Sequence, residues 1–217
     1  MKACLVRFGI KAFKPALRKA AERLETLQTP EGTALPPNTL AEMRRDMARL
    51  RFVIDQIKET GTARLQLLEQ APKQGPQAMV RLLARVIGVG IETADMLVHE
   101  ILSRNLRDQK AVARYAGLAG SPDESGKKSR EKGLAKAGNA RVRRGMIQLA
   151  WRFLLFQRFL LFQNDSALAQ WYRAVTRDAR GAVRKTMIVA LARKLLIALW
   201  RMVTTGQMPE KIVLRAA

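Results

Sequence analysis

Helical periodicity constrains this chain more than any other feature. From residue 77 to residue 204, apolar residues recur at three- and four-residue intervals in six runs: 77–87, 91–104, 108–117, 139–163, 166–176 and 182–204. That spacing gathers them on one face of a helix. The alternating pattern of half-buried strands is hard to find anywhere. The expected fold class is therefore all-α. Ala71-Pro72-Lys73-Gln74-Gly75-Pro76 places two prolines and a glycine within five residues, which marks a boundary. The expected division is a helical linker over 1–72 and a helical domain over 73–217.

The front part carries its own signals. A short amphipathic helix is expected over 12–28, with Leu17, Leu24 and Leu27 on one side, ended by Thr29-Pro30-Glu31-Gly32. Thr39-Leu40-Ala41-Glu42 then has the pattern of a capping box, in which a hydroxyl and a carboxylate three residues apart satisfy the free amides of a helix start. Leu40, Met43, Met47, Leu50, Ile54 and Ile57 follow at 3-4-3-4-3 spacing, a coiled-coil seam that breaks at Gly61. The same spacing serves a helix buried in a bundle, so both self-association through 39–58 and burial within one chain are open.

Charge narrows the function. The chain of 217 residues has 40 Lys and Arg against 18 Asp and Glu, a net charge of +22. Twenty of the 40 basic residues lie after position 120. Such an excess repels itself on compaction and calls for a polyanionic partner, nucleic acid first. One Cys and one His exclude a disulfide framework and a structural zinc site. The 48% apolar content excludes a wholly disordered basic tail. The two most apolar stretches, 145–163 and 186–203, contain Arg152, Arg158, Arg193, Lys194 and Arg201, which a bilayer-spanning helix would have to bury. With no targeting signal in the first twenty residues, the expectation is a cytoplasmic protein with no membrane partner. Phe153–Phe162 with its flanking arginines could lie at a membrane interface only with a sustained polar face. The tandem hexapeptide Arg152–Gln157 and Arg158–Gln163 disrupts that face, since six residues rotate a helix by about 240°. The repeat itself reads as a tandem duplication.

Two segments could carry chemistry. Ile87-Gly88-Val89-Gly90 joins two helices, with Thr93 in the second. Glycines there permit a tight turn and let backbone amides approach a phosphate; a helix–helix turn with no ligand uses the same residues. No strand precedes it, so it is not a dinucleotide fingerprint. The second segment runs from Gly117 to Arg144. Its loop holds Ser121, Ser125 and Ser129 among Lys127, Lys128, Arg130 and Lys136, and Asn139 can cap the helix bearing Arg141, Arg143 and Arg144. Such a loop suits a phosphodiester, bound or attacked by serine. His99, between Leu97-Val98 and Ile101-Leu102, reads as a helix-face histidine rather than a base.

IGVGxxTA, AVARYAGL, SGK and KxGNxRVRR, in that order, resemble the C-terminal domain of insertion-sequence transposases related to the pilin-gene inversion recombinase. The resemblance covers about 76–205. It implies DNA transposition and recombination in a bacterial, nucleoid-associated setting, with DNA as partner and in some members an element-encoded guide RNA. It also implies an N-terminal RNase-H-like domain with acidic metal ligands, joined by a coiled coil to a helical domain bearing a serine nucleophile. The Ser-Gly pair matches Ser125-Gly126, so Ser125 is the expected nucleophile, with Ser121 and Ser129 as reserves. The expected DNA-binding residues are Gly88, Gly90, Thr93, Lys127, Lys128, Arg130, Lys136, Asn139, Arg141, Arg143 and Arg144. Where many members have Ser or Thr before the motif lysine, this chain has Ala135. Nothing before residue 39 supplies the acidic domain. The expectation is a truncated transposase that binds DNA but does not cut it alone, with no metal or other cofactor in this chain. A stand-alone DNA- or RNA-binding helical protein is the alternative.

Overall fold

The computed structural model describes all residues except Lys73, Gly126, Lys127, Ala135, Lys136, 160–162, 164, 216 and 217; over 121–133 and 154–159 it describes the backbone only. Two compact units divide the chain, Met1–Gln66 and Leu67–Ala217.

The first unit contains α1 (Lys2–Arg7), α2 (Ala20–Glu25) and most of α3 (Pro37–Gln70). Its core gathers Leu5, Phe13, Ala20, Leu24, Leu35, Met43 and Met47. The helix expected over 12–28 is confined to α2. Pro15 lacks an amide and disfavours a helical residue before it, and Leu17 is exposed while Leu24 is buried and Leu27 packs on the core. The expected break at Gly61 does not occur, because α3 runs through it to Gln70; an interior glycine costs a helix only about 1 kcal/mol relative to alanine. The seam is divided along its length. Met43 and Met47 are spent on the unit's own core, whereas Ile57 is 61% exposed beside exposed Phe52 and Val53.

The second unit follows the expected helical runs closely. It contains α4 (Pro76–Ala84), α5 (Ile91–Leu97), a π-helical turn (Val98–Leu102), α6 (Gln109–Tyr115), α7 (Ala140–Phe159), α8 (Ala167–Thr176) and α9 (Gly181–Thr204). Helix α9 is the central post, packing on α4, α6, α7 and α8. Ile188, Leu191, Leu195 and Leu199 are fully buried along it, as their spacing predicts. Trp171 and Trp200 pack on this core from partly buried positions, but Trp151 is 42% exposed. Its neighbours Leu149, Ala150 and Phe153 take the inner face of α7 instead. The Arg81 guanidinium donates to the carbonyls of Leu68, Ala71 and Pro72; the first two lie at the end of α3, where helical partners run out.

One expected loop is ordered differently. β1 (Gly120–Ser125) and β2 (Lys128–Leu134) form an antiparallel hairpin, an addition to an otherwise helical fold. Among the described residues, no helix is long and apolar enough to cross a membrane.

The second hexapeptide copy also acquires a part. Gln163, 2% exposed, donates from Nε2 to the carbonyls of Ile87 and Val213 (3.1 and 2.9 Å) and accepts the Val213 amide on Oε1 (3.1 Å). The Ile87 amide donates to Val213 O, and Arg215 closes on Ala84 and Arg85 carbonyls. The C-terminal segment is thereby stitched to the Gly-Val-Gly turn. Replacing Gln163 with leucine strands these backbone groups, and a loss of about 1–3 kcal/mol in denaturant unfolding is expected. An unchanged midpoint and slope would show that the clamp contributes nothing.

Candidate functional site

The Gly-Val-Gly turn links α4 to α5. Gly88 has φ +101°, a conformation that L side chains avoid, while Val89 between the glycines is buried in the core. Gly90 is different. It caps α5 with φ −83°, and a Cβ there would meet nothing within 4 Å. Packing therefore does not require glycine at 90, and the space a side chain would fill there is open. Gly90→Ala should change stability by no more than about 1 kcal/mol. If a phosphate sits on this turn, the same change should weaken DNA binding by about 3–10-fold; unaltered affinity in a gel-shift titration would remove the turn from the interface. Thr93 lies half-buried one turn into α5.

The element that begins at this turn ends at the second segment. After α5 the backbone widens into the π-helical turn Val98–Leu102, a distortion frequent at functional sites. Glu100 on that turn accepts from Asn139 Nδ2 and from Arg141 Nη1, each at 2.9 Å. Asn139 in turn caps α7, its Oδ1 accepting the amides of Arg141 and Val142 (3.0 and 3.1 Å). Glu100 thus fixes the start of the helix that carries the arginines. Sequence reasoning missed it, because an isolated glutamate in an apolar helical run carries no spacing signal. His99 beside it is half-exposed, with Nδ1 3.1 Å from Asp95 Oδ1.

The motif glycines explain themselves through close packing. The Asn139 amide donates to Tyr115 O at 2.7 Å. A Cβ on Gly138 (φ +92°) would lie 2.7 Å from Tyr115 O and from the Gly117 amide nitrogen. A Cβ on Gly117 (φ +64°) would lie 2.4 Å from Ala137 O. The RYAGL and KxGN segments therefore pack backbone to backbone, at the two ends of the hairpin they enclose. Helix α6 leading into this contact is capped by Asp108, whose Oδ1 accepts the Ala111 amide at 2.7 Å. That hydrogen bond, helped by Arg107, holds the Asp108 carboxyl below its ordinary value. A lowered carboxyl stabilises the fold above its unfolded pKa, and the contribution disappears as pH falls through the folded one.

The predicted cations are not equivalent. Arg141 is engaged by Glu100, Arg143 Nη1 donates to Ala137 O (3.2 Å), and Arg144 Nε donates to Ala140 O (3.2 Å). These bonds orient the first turn of α7 while leaving it without acid of its own. Lys127 and Lys136 lie outside the described residues.

Register sorts the serines. Ser125 pairs with Lys128, Asp123 with Arg130 and Ser121 with Lys132, while Ser129 pairs with Glu124. Alternation along a strand places Ser121, Asp123, Ser125, Lys128, Arg130 and Lys132 at positions of one face of the ribbon. Ser129 falls on the other, with Glu124 and Glu131. Ser125 is also the last residue of β1, next to the connection between the strands.

Comparison with known proteins finds a family match over the residues brought together here. Residues 80–164 match the model of the Transposase IS116/IS110/IS902 family. That span contains the Gly-Val-Gly turn, Glu100, the hairpin and the start of α7. Over 99% of its length the chain is 37% identical to "Putative transposase y4rJ" of Sinorhizobium fredii. The chain spans 54% of that protein's length.

Proposed function

With residues 80–164 similar to the transposase domain of that insertion-sequence family, we propose that this chain is the DNA-contacting, serine-bearing part of a transposase. The observation that carries the reading is the junction at Glu100, Gly117 and Asn139. It anchors both ends of the hairpin and the cationic start of α7 to the element that begins at Gly90. Phosphates on the Gly88–Gly90 turn and on the lysines and arginines of 127–144 would fix the register of a DNA strand without reading its sequence.

In the proposed reaction the Ser125 hydroxyl attacks a DNA phosphorus. A serine–phosphate bond forms, the bond to one sugar oxygen breaks, the serine proton leaves to solvent and the released oxygen takes one up. The register supports Ser125 over Ser129, since Ser125 is paired with Lys128 and Ser129 with Glu124, although Asp123 shares the face of Ser125. Ser121 shares that face but lies at the root of the hairpin. Among the described residues no three His, Cys, Asp or Glu side chains group to hold a metal ion. The acidic ligand set implied by the resemblance therefore does not fit here, and no step is routed through a metal. The proposal gives this chain DNA binding and presentation of the serine, and assigns cutting of a natural phosphodiester to joint action with an acidic domain. An element-encoded guide RNA, where used, would meet the same basic half. Self-association through α3 is proposed on the exposed Phe52, Val53 and Ile57.

Salt titration tests the electrostatic basis. Binding to duplex DNA should weaken with a log–log slope of roughly −3 or steeper, at about −0.9 for each phosphate neutralised. A flat response would contradict a phosphate-led interface.

A further inference from the structure

A second basic surface lies at the root of the hairpin. Gly120 and Leu134, the pair that begins the β1–β2 ladder, line one side of a groove of about 800 Å³, and α9 lines the other. Leu118, Leu134 and Val189 give it apolar walls, and Lys110, Lys185 and Lys194 bring three ammonium groups. No acidic side chain is among the described residues that line it. Lys194 is held over the Trp171 ring, 4.7 Å from its centroid.

These features together specify a ligand. With Arg193 on the same lining, four like charges beside a low-dielectric surface repel one another and concentrate anions. A bare phosphate leaves the apolar walls unused, and so does a paired duplex, whose bases are stacked inside. An unpaired nucleotide offers both a planar apolar face and a phosphodiester. The volume falls within the usual range of small-ligand pockets. We propose that this groove holds an unpaired DNA nucleotide, its base on Leu118, Leu134 and Val189 and its phosphate on the lysines. The site lies about 17 Å along β1 from Ser125. It would thus keep a strand single beside the reactive serine. The inference rests on the nucleic-acid reading above, but not on serine chemistry.

The test is calorimetric titration of the whole chain at low salt with four probes: hexathymidylate, hexauridylate, an abasic hexamer of the same charge, and hexaglutamate. Hexathymidylate should bind at least about fivefold tighter than the abasic strand, as burying a base's apolar face against aliphatic walls gives. Ala190→Phe, which fills the groove without changing charge, should abolish that preference and leave abasic binding unchanged. Leu134→Ser, at an exposed position, should reduce the preference and serves if the first variant misfolds. Lys185→Ala with Lys194→Ala should weaken both strands alike. Equal binding of the two strands to the wild-type chain overturns the proposal. So does a preference that survives in a folded groove variant, or hexaglutamate or hexauridylate binding as tightly as hexathymidylate. Ser125→Ala should retain the preference, so a failed serine reaction with an intact preference sinks only the transposase chemistry.

Discussion

Gly138→Ala is expected to cost about 2–6 kcal/mol. Two effects combine. At φ +92° an L residue is strained, by about 1–3 kcal/mol. The new methyl would also sit 2.7–2.8 Å from the Gly117 nitrogen and the carbonyls of Tyr115 and Arg114. These are backbone atoms, so relief requires separating the RYAGL and KxGN segments, with an overpacking cost of about 1–3 kcal/mol. At about 2–4 °C per kcal/mol for a unit of this size, the midpoint of thermal unfolding should fall by roughly 4–24 °C. DNA binding should fall with it, because Asn139 follows directly and holds the start of α7. A stable Gly138→Ala protein with normal DNA affinity would mean that the two motifs do not pack as described.

Ser125→Ala carries the opposite signature. The fold should be untouched, and duplex affinity should stay within about twofold, since phosphate binding rests on the cations and amides. What should vanish is covalent attachment to DNA, because alanine has no nucleophile to offer. The argument depends on register. Lys128 is paired with Ser125 and Arg130 with Asp123, so a phosphate attacked from 125 has a cation at the paired position, and the acid on that face is itself paired with a cation. From 129 the neighbouring positions on the same face are Glu124 and Glu131, which repel it. Ser129→Ala should therefore leave attachment unchanged.

Legibility from sequence followed the physics of each element. The helices after residue 77 were readable because their apolar residues face one core at helical period, as Ile188, Leu191, Leu195 and Leu199 do on α9. Trp151 defeated that rule, since an aromatic at the edge of an apolar stripe can turn either way. The hairpin had no alternating apolar signal, because Ser121-Pro122-Asp123-Glu124-Ser125 and its partner strand are polar on both faces. The chain at the two ends of the hairpin is held together at Gly117 and Gly138. Glu100 was invisible because the π-helical turn shifts it away from the position that α-helical period assigns. The break expected at Gly61 failed because one glycine weighs little in a 34-residue helix.

The most direct test of the account locates the bond between serine and DNA. The chain would be incubated with random-sequence duplexes carrying a bridging phosphorothiolate, whose thiolate leaves without needing a proton. The products would then be digested and the nucleotide mass assigned to a residue. The account predicts the adduct on Ser125 and its absence in Ser125→Ala; an adduct on Ser121 or Ser129, or none on wild-type protein saturated with DNA, would contradict it.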